Sequence, residues 1–151
     1  MENRGIIDRL NNDLKAAMKA RDLDRIATIR LAISAMNYRR IEALKDLSPE
    51  EQEDVIRKQV KQRDDAIEEY TKAKRTDLAD KEARERAILK EYLPAELSAD
   101  QLRTEVAAII ATLGPDAKFG DAMKAVMPAL SKRAGGKQIQ EAVKAAMSTK
   151  T

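Results

Sequence analysis

Apolar residues return along this chain at spacings of three and four, the period of a helix and not of a strand. Ile6, Ile7, Leu10, Leu14, Ala17 and Met18 form the first such stripe, which ends at a turn near Arg21-Asp22. Leu23, Ile26, Ile29, Ile33, Met36, Ile41 and Leu44 form a longer second one. A third helix opens at Ser48-Pro49-Glu50-Glu51. There Ser48 can cap, Pro49 suits the first helical position, and Glu51 closes a capping box. Its stripe is Val55, Ile56, Val60, Ile67 and Tyr70, and it frays near Lys74-Arg75-Thr76. Asp77 then reads as the cap of a fourth helix carrying Leu78, Ala79, Ile88, Leu89 and Tyr92.

Pro94 pushes Leu93 out of helical geometry, so a break falls there. Ser98-Ala99-Asp100-Gln101 is a second capping box, opening a helix through Leu102, Val106, Ile109, Ile110 and Leu113 that Gly114-Pro115 stops. Two shorter helices follow, about residues 120–131 and 137–147, separated by Ala134-Gly135-Gly136. Pro128 either kinks or divides the first of them. The pattern predicts an all-α protein. A larger N-terminal lobe of about four helices spans residues 1–95, and a small three-helix lobe spans 96–151, with a proline-marked hinge near 93–98.

Composition agrees with helices and narrows the chemistry. Hydrophobic residues make up 43% of the 151, almost all aliphatic, with one Phe, three Tyr and no Trp. Five Gly and four Pro leave too little turn chemistry for a sheet protein. Cys and His are both absent. Thiolate nucleophiles, disulfides and Cys/His metal centres are thereby excluded, and so is the commonest acid–base group. Catalysis by carboxylate, Lys or Tyr stays open but would require strong pKa tuning, so an enzymatic role is uncertain and none is expected of the chain by itself; no cofactor and no metal is expected. Residues 1–9 are polar apart from a short Ile6-Ile7, which is no signal-peptide core, and no run of eighteen apolar residues occurs. These features lead to the expectation of a soluble cytoplasmic protein with no membrane partner.

Charge is distributed unevenly. Lys118, Lys124, Lys132, Arg133, Lys137, Lys144 and Lys150 face only Asp121 and Glu141 over residues 117–151, whereas residues 1–116 carry 22 basic and 24 acidic side chains. Positive charge gathered at one end suits contact with a polyanion. The candidate binding residues there are Lys118, Gly120, Lys124, Lys132, Arg133, Gly136 and Lys137. Glycines admit close approach, and a helix starting after Gly136 would present N–H groups to an anion. A plain interhelical turn is the alternative, and the pattern is no P-loop. A secondary basic face is Lys58, Lys61 and Arg63. Gln59 and Arg63 share a face with Val60 and Ile67, and an Arg so placed needs a partner, which Glu82 and Glu85 could provide. An interhelical ion-pair cluster, a phosphate-binding face and a catalytic carboxylate pair all fit that spacing. With so few aromatics, any nucleic-acid contact would run through phosphate, ribose and shape, favouring structured RNA over a single strand.

Four stretches carry a resemblance: Lys58-Gln59-Val60-Lys61-Gln62-Arg63-Asp64-Asp65-Ala66-Ile67, Arg75-Thr76-Asp77-Leu78-Ala79, Glu91-Tyr92-Leu93-Pro94-Ala95-Glu96-Leu97-Ser98, and Met127-Pro128 through Arg133-Ala134-Gly135-Gly136-Lys137. In their order and gaps the chain resembles the YqeY family, which shares its domain with the C-terminal tail of the GatB subunit of tRNA-dependent amidotransferase. The resemblance implies a larger helical lobe plus a small three-helix lobe like the GatB tail. Related tails occur on amidotransferase subunits and some glutaminyl-tRNA synthetases, where they help hold tRNA. It therefore implies a stand-alone module binding tRNA as an accessory to aminoacylation or amidation. Docking onto an aminoacyl-tRNA synthetase or amidotransferase subunit is the alternative, and a part in a carbon–nitrogen ligase using glutamine as amido donor is a third possibility. The chain departs from the family pattern at Gly135, where Asp is usual, at Lys132, where Gly is usual, and around Lys118-Phe119-Gly120-Asp121-Ala122-Met123.

Overall fold

A computed structural model describes residues 5–148. Among them are seven helices and no strand: α1 (Ile6–Ala20), α2 (Leu23–Ala43), α3 (Pro49–Lys72), α4 (Thr76–Lys90), α5 (Ala99–Ala111), α6 (Phe119–Leu130) and α7 (Gly136–Ser148). The chain divides into two compact units between Leu93 and Pro94. No described helix is long and apolar enough to cross a membrane.

In the first unit α1 packs on α2, α3 on α4, and α2 on both α3 and α4. Leu10 and Ala17 of α1, Ile29, Ala32 and Met36 of α2, Ile56 and Val60 of α3, and Leu89 and Tyr92 around the end of α4 form its core. These are the helical stripes of the sequence brought face to face. Local chemistry sets the helix starts. Ser48 accepts from the Glu51 N–H at 3.1 Å while Glu51 accepts from the Ser48 N–H at 3.1 Å, completing the expected capping box. The Asp22 carboxylate accepts from the Arg25 N–H at 3.2 Å and so caps α2, after Arg21 has reversed the chain in a left-handed conformation at φ 56°.

The cap expected at Asp77 is corrected. Helix α4 starts earlier, at Thr76, with Arg75 at the cap position and no side-chain cap bond. Asp77 lies in the first turn and accepts from the Arg75 guanidinium at 3.2 and 3.1 Å. That bond, first of all, holds its carboxyl below the ordinary aspartate value. A carboxylate in the first turn is also favoured by the helix dipole, so Asp77 stabilises the start of α4 without capping it.

The second unit packs three helices around aliphatic side chains alone. Leu102, Val106 and Ile110 of α5 meet Ala122, Val126 and Leu130 of α6 and Ile139, Ala142 and Val143 of α7. Ser98 and Gln101 form the second capping box, at 3.1 and 3.0 Å. Pro128 does not divide α6, which runs on to Leu130. Its missing N–H removes one rung of the ladder, that to the Lys124 carbonyl, and the helix continues for two residues beyond it.

Candidate functional site

The predicted binding residues of the second unit are all exposed, and helix geometry sorts them into two groups. Lys118 holds the cap position of α6, where its N–H donates to the Asp121 carboxylate at 3.0 Å. Gly120 lies in the first turn, and Lys124 is one turn further on the same face. Lys132 and Arg133 lie beyond the other end of α6, and Gly136 and Lys137 open α7. Twelve residues of helix span about 18 Å, so Lys118 and Gly120 lie at the opposite end of α6 from Lys132 and Arg133, with Lys124 midway along it. The α6–α7 turn therefore brings together Lys132, Arg133, Gly136 and Lys137, and does not include Lys118, Gly120 or Lys124.

That turn is built firmly. The Arg133 carbonyl accepts from the Leu97 N–H at 2.8 Å, and the Arg133 and Ala134 N–H groups donate to Leu130 at 2.9 and 3.1 Å. Gly135 makes room for a side chain: a Cβ there would lie 2.2 Å from the Gln138 amide oxygen. Gly136 faces open space. Acidic groups temper the positive charge. Glu105 lies 3.9 Å from the Arg133 guanidinium. On α7, Glu141 falls between Lys137 and Lys144 on one face.

The secondary basic face separates. Lys58 and Lys61 are exposed on α3, but Arg63 turns inward. Its guanidinium sits 2.9 Å from Glu82 and 2.7 Å from Glu85, with side-chain exposure of 17% for Arg63 and 7% for Glu85. Of the readings that the spacing left open, the interhelical ion-pair cluster is the one formed, and Arg63 is no part of an exposed phosphate-binding face. Beside it Gln59 donates to the Leu31 carbonyl at 3.3 Å, while its own amide oxygen is buried without a partner among the described residues.

Two features of the first unit escape sequence reading. The first surrounds Tyr92, whose hydroxyl donates to Asp13. The Arg9 guanidinium lies over the ring, 4.9 Å from its centre, and donates to the Glu91 carbonyl at 3.1 Å. Arg25 pairs with the Glu91 carboxylate at 2.7 Å. Burial, then the bond to Asp13, pushes the Tyr92 phenol above its ordinary pKa. This network fastens the end of α4 to α1 and α2. The second is a cavity of about 390 Å³ lined from α1, α2, the α2–α3 connection and α3. The only signal for either was the polar residues within otherwise apolar stripes, Asn11, Asp13 and Asn37 among them.

The family described as Yqey-like protein matches residues 7–147, nearly the whole chain. The chain belongs to the YqeY family. Its relatives include proteins named "Altered inheritance of mitochondria protein 41, mitochondrial". That of Kluyveromyces lactis is 44% identical over 87 residues, covering 57% of this chain and 47% of the relative. That of Lachancea thermotolerans is 35% identical over 123 residues, covering 78% and 66%. That of Saccharomyces cerevisiae is 34% identical over 133 residues, covering 87% and 63%. The chain thus spans between about half and two thirds of the length of these relatives. The YqeY relatives also correct the expected cytoplasmic location, because each is named as a mitochondrial protein.

Proposed function

We propose that this YqeY-family chain acts by binding, and that it holds tRNA by phosphate backbone and shape as an accessory to aminoacylation or amidation. The observation that carries this reading is the α6–α7 turn. Lys132, Arg133 and Lys137 gather within six residues around the start of α7, whose first N–H groups have no acceptor within the helix. A phosphate there meets both fixed dipoles and mobile cations. Three cations predict that log K against log salt falls with a slope of about −2.7, near −0.9 per phosphate neutralised. The test is titration of labelled tRNA at several salt concentrations, with mitochondrial tRNAs tried first because of the names of the relatives. The triple variant Lys132→Glu, Arg133→Glu, Lys137→Glu is expected to abolish binding. Reversal at Lys118, at the far end of α6, should leave the slope nearly unchanged. A flat salt response, or undiminished binding by the triple variant, refutes the proposal.

A second reading, docking onto a synthetase or amidotransferase subunit, is favoured by a separate surface. Leu31, Tyr38 and Ile41 share one face of α2 and are 52%, 67% and 68% exposed, and Leu44 follows at the helix end. Large apolar side chains grouped in this way mark interaction surfaces. A complex recovered after nuclease treatment and lost with Ile41→Glu would support docking. Loss of the complex on nuclease treatment alone would return the case to RNA.

A further inference from the structure

The cavity of the first unit has the make-up of a small-molecule site; it is separate from the α6–α7 turn, and its mouth residues Arg40 and Asp46 border Ile41 and Leu44 of the α2 surface. Its volume of about 390 Å³ lies within the ~300–1,000 Å³ range of such sites. Ile7, Ile33, Met36 and Leu47 line it on the side of the hydrophobic core. Asn37, Arg40 and Asp46 line it on the exposed side. Its walls are held in place by Gln52, which is buried and engaged at both ends. The Gln52 amide oxygen accepts from the Ile7 N–H at 3.0 Å, and its amide nitrogen donates to the Leu47 carbonyl at 3.0 Å. Gln52 therefore ties the start of α1 and the α2–α3 connection to α3, so the space exists without a ligand to shape it.

The charges at the mouth select the ligand. Arg40 and Asp46 lie 3.9 Å apart, with side chains 48% and 80% exposed, a separation at the outer limit of an ion pair. Such a pair contributes little and is readily replaced. A plain anion would gain Arg40 but meet the repulsion of Asp46, and a plain cation would face the reverse. A zwitterion with adjacent opposite charges pairs with both. Behind those charges Ile7, Ile33, Met36 and Leu47 offer an aliphatic side chain apolar contact, with Asn11 and Asn37 as the polar side chains beside them.

We propose that this cavity binds a free aliphatic α-amino acid. Its carboxylate meets Arg40, its ammonium meets Asp46, and its side chain rests among Ile33, Met36 and Leu47.

The test titrates the full-length chain with L-leucine by two-dimensional amide NMR, beside 4-methylpentanoate, which lacks the ammonium, and 3-methylbutylamine, which lacks the carboxylate. Leucine is expected to give saturable shifts confined to the start of α1, the second half of α2 and residues 44–52. Each half-molecule should bind up to about fivefold more weakly, the worth of one solvent-exposed ion pair. Arg40→Ala and Asp46→Asn should each weaken leucine to a similar degree. Asn37→Trp, at an exposed position on the mouth, should block it while the remaining spectrum reports an intact fold. No saturable shift up to the solubility limit of leucine overturns the proposal. So does equal binding by 4-methylpentanoate, and so does leucine binding that survives Asn37→Trp.

Discussion

The four helices before Leu93 and the three after it bury different kinds of side chain. In the first unit the interior admits Thr28, Gln52 and Glu85 alongside the aliphatic core, and each has a partner. Thr28 donates to the Asp24 carbonyl at 2.8 Å, Gln52 bridges two backbone segments, and Glu85 faces Arg63. Among the described residues of the second unit every buried side chain is aliphatic, and the charged ones are not buried. Aliphatic packing is non-directional and brings faces together, whereas a buried ion pair tolerates one geometry and penalises others. The comparison separates two uses of charge. The first unit uses it inside, to fix which helix faces which. The second keeps the charge of its described residues on the surface.

The largest effect should come from breaking the internal use. Arg63→Ala leaves Glu82 and Glu85 facing each other with no cation between them, and removing one partner of a buried pair costs about 3–5 kcal/mol. Replacing Arg63 and Glu85 together by Met should restore much of that. Tyr38, Tyr70 and Tyr92 all fall before Leu93 and the chain has no Trp, so tyrosine fluorescence during urea unfolding reports the first unit alone. A loss below about 1 kcal/mol would erase the distinction drawn above.

The matching test in the second unit is Ile139→Ala. Ile139 is fully buried in the cluster with Val106, Val126 and Val143, and truncation of a buried Ile costs about 2–5 kcal/mol. Far-UV circular dichroism should show an early loss of helix while the tyrosine transition stays in place. If the tyrosine signal moves by the same amount, the two units unfold as one and the comparison loses its thermodynamic meaning. Smaller still is Ser98→Ala, which removes the cap of α5 and should cost about 1 kcal/mol, visible in the dichroism transition and not in tyrosine fluorescence.

Most of this fold was legible because its determinants are local. Ser48 with Glu51 and Ser98 with Gln101 sit three apart and need only each other, so both capping boxes could be read from the chain. Arg63 beside an apolar stripe demanded a carboxylate, and the three-residue spacing of Glu82 and Glu85 identified where one would be. Asp77 misled because two local interactions competed for it. The Arg75 fork, two residues earlier, claimed its carboxylate, and α4 began before it could cap. The candidate site was less legible. Residues 118–137 read as one basic cluster, yet a rigid α6 carries its two halves apart. The bond from Tyr92 to Asp13 spans 79 positions, and the cavity walls come from three helices and a connection. Such features depend on how helices dock, which no single periodicity encodes.

The finest test of the comparison is Tyr92→Phe. In the native state the Tyr92 hydroxyl donates to Asp13 and its ring is buried beneath Arg9. Asp13 is only partly buried and can turn to water when the donor is lost, so the variant should cost about 0.5–1 kcal/mol at neutral pH. The pH dependence is more telling. The folded phenol has its pKa raised, first by burial and then by Asp13, so the native state keeps that proton to higher pH than the unfolded chain does. The resulting stabilisation is complete below the ordinary tyrosine value near 10 and declines as pH rises above it. Urea midpoints measured by circular dichroism at pH 8 and pH 11 should fall further for the wild-type chain than for Tyr92→Phe, so that the gap between them narrows. Parallel losses would mean that the Tyr92 proton is held no more tightly in the folded chain than in the unfolded one. The α4 end would then be fastened by Arg9 and Arg25 on Glu91, with the Tyr92 ring contributing packing.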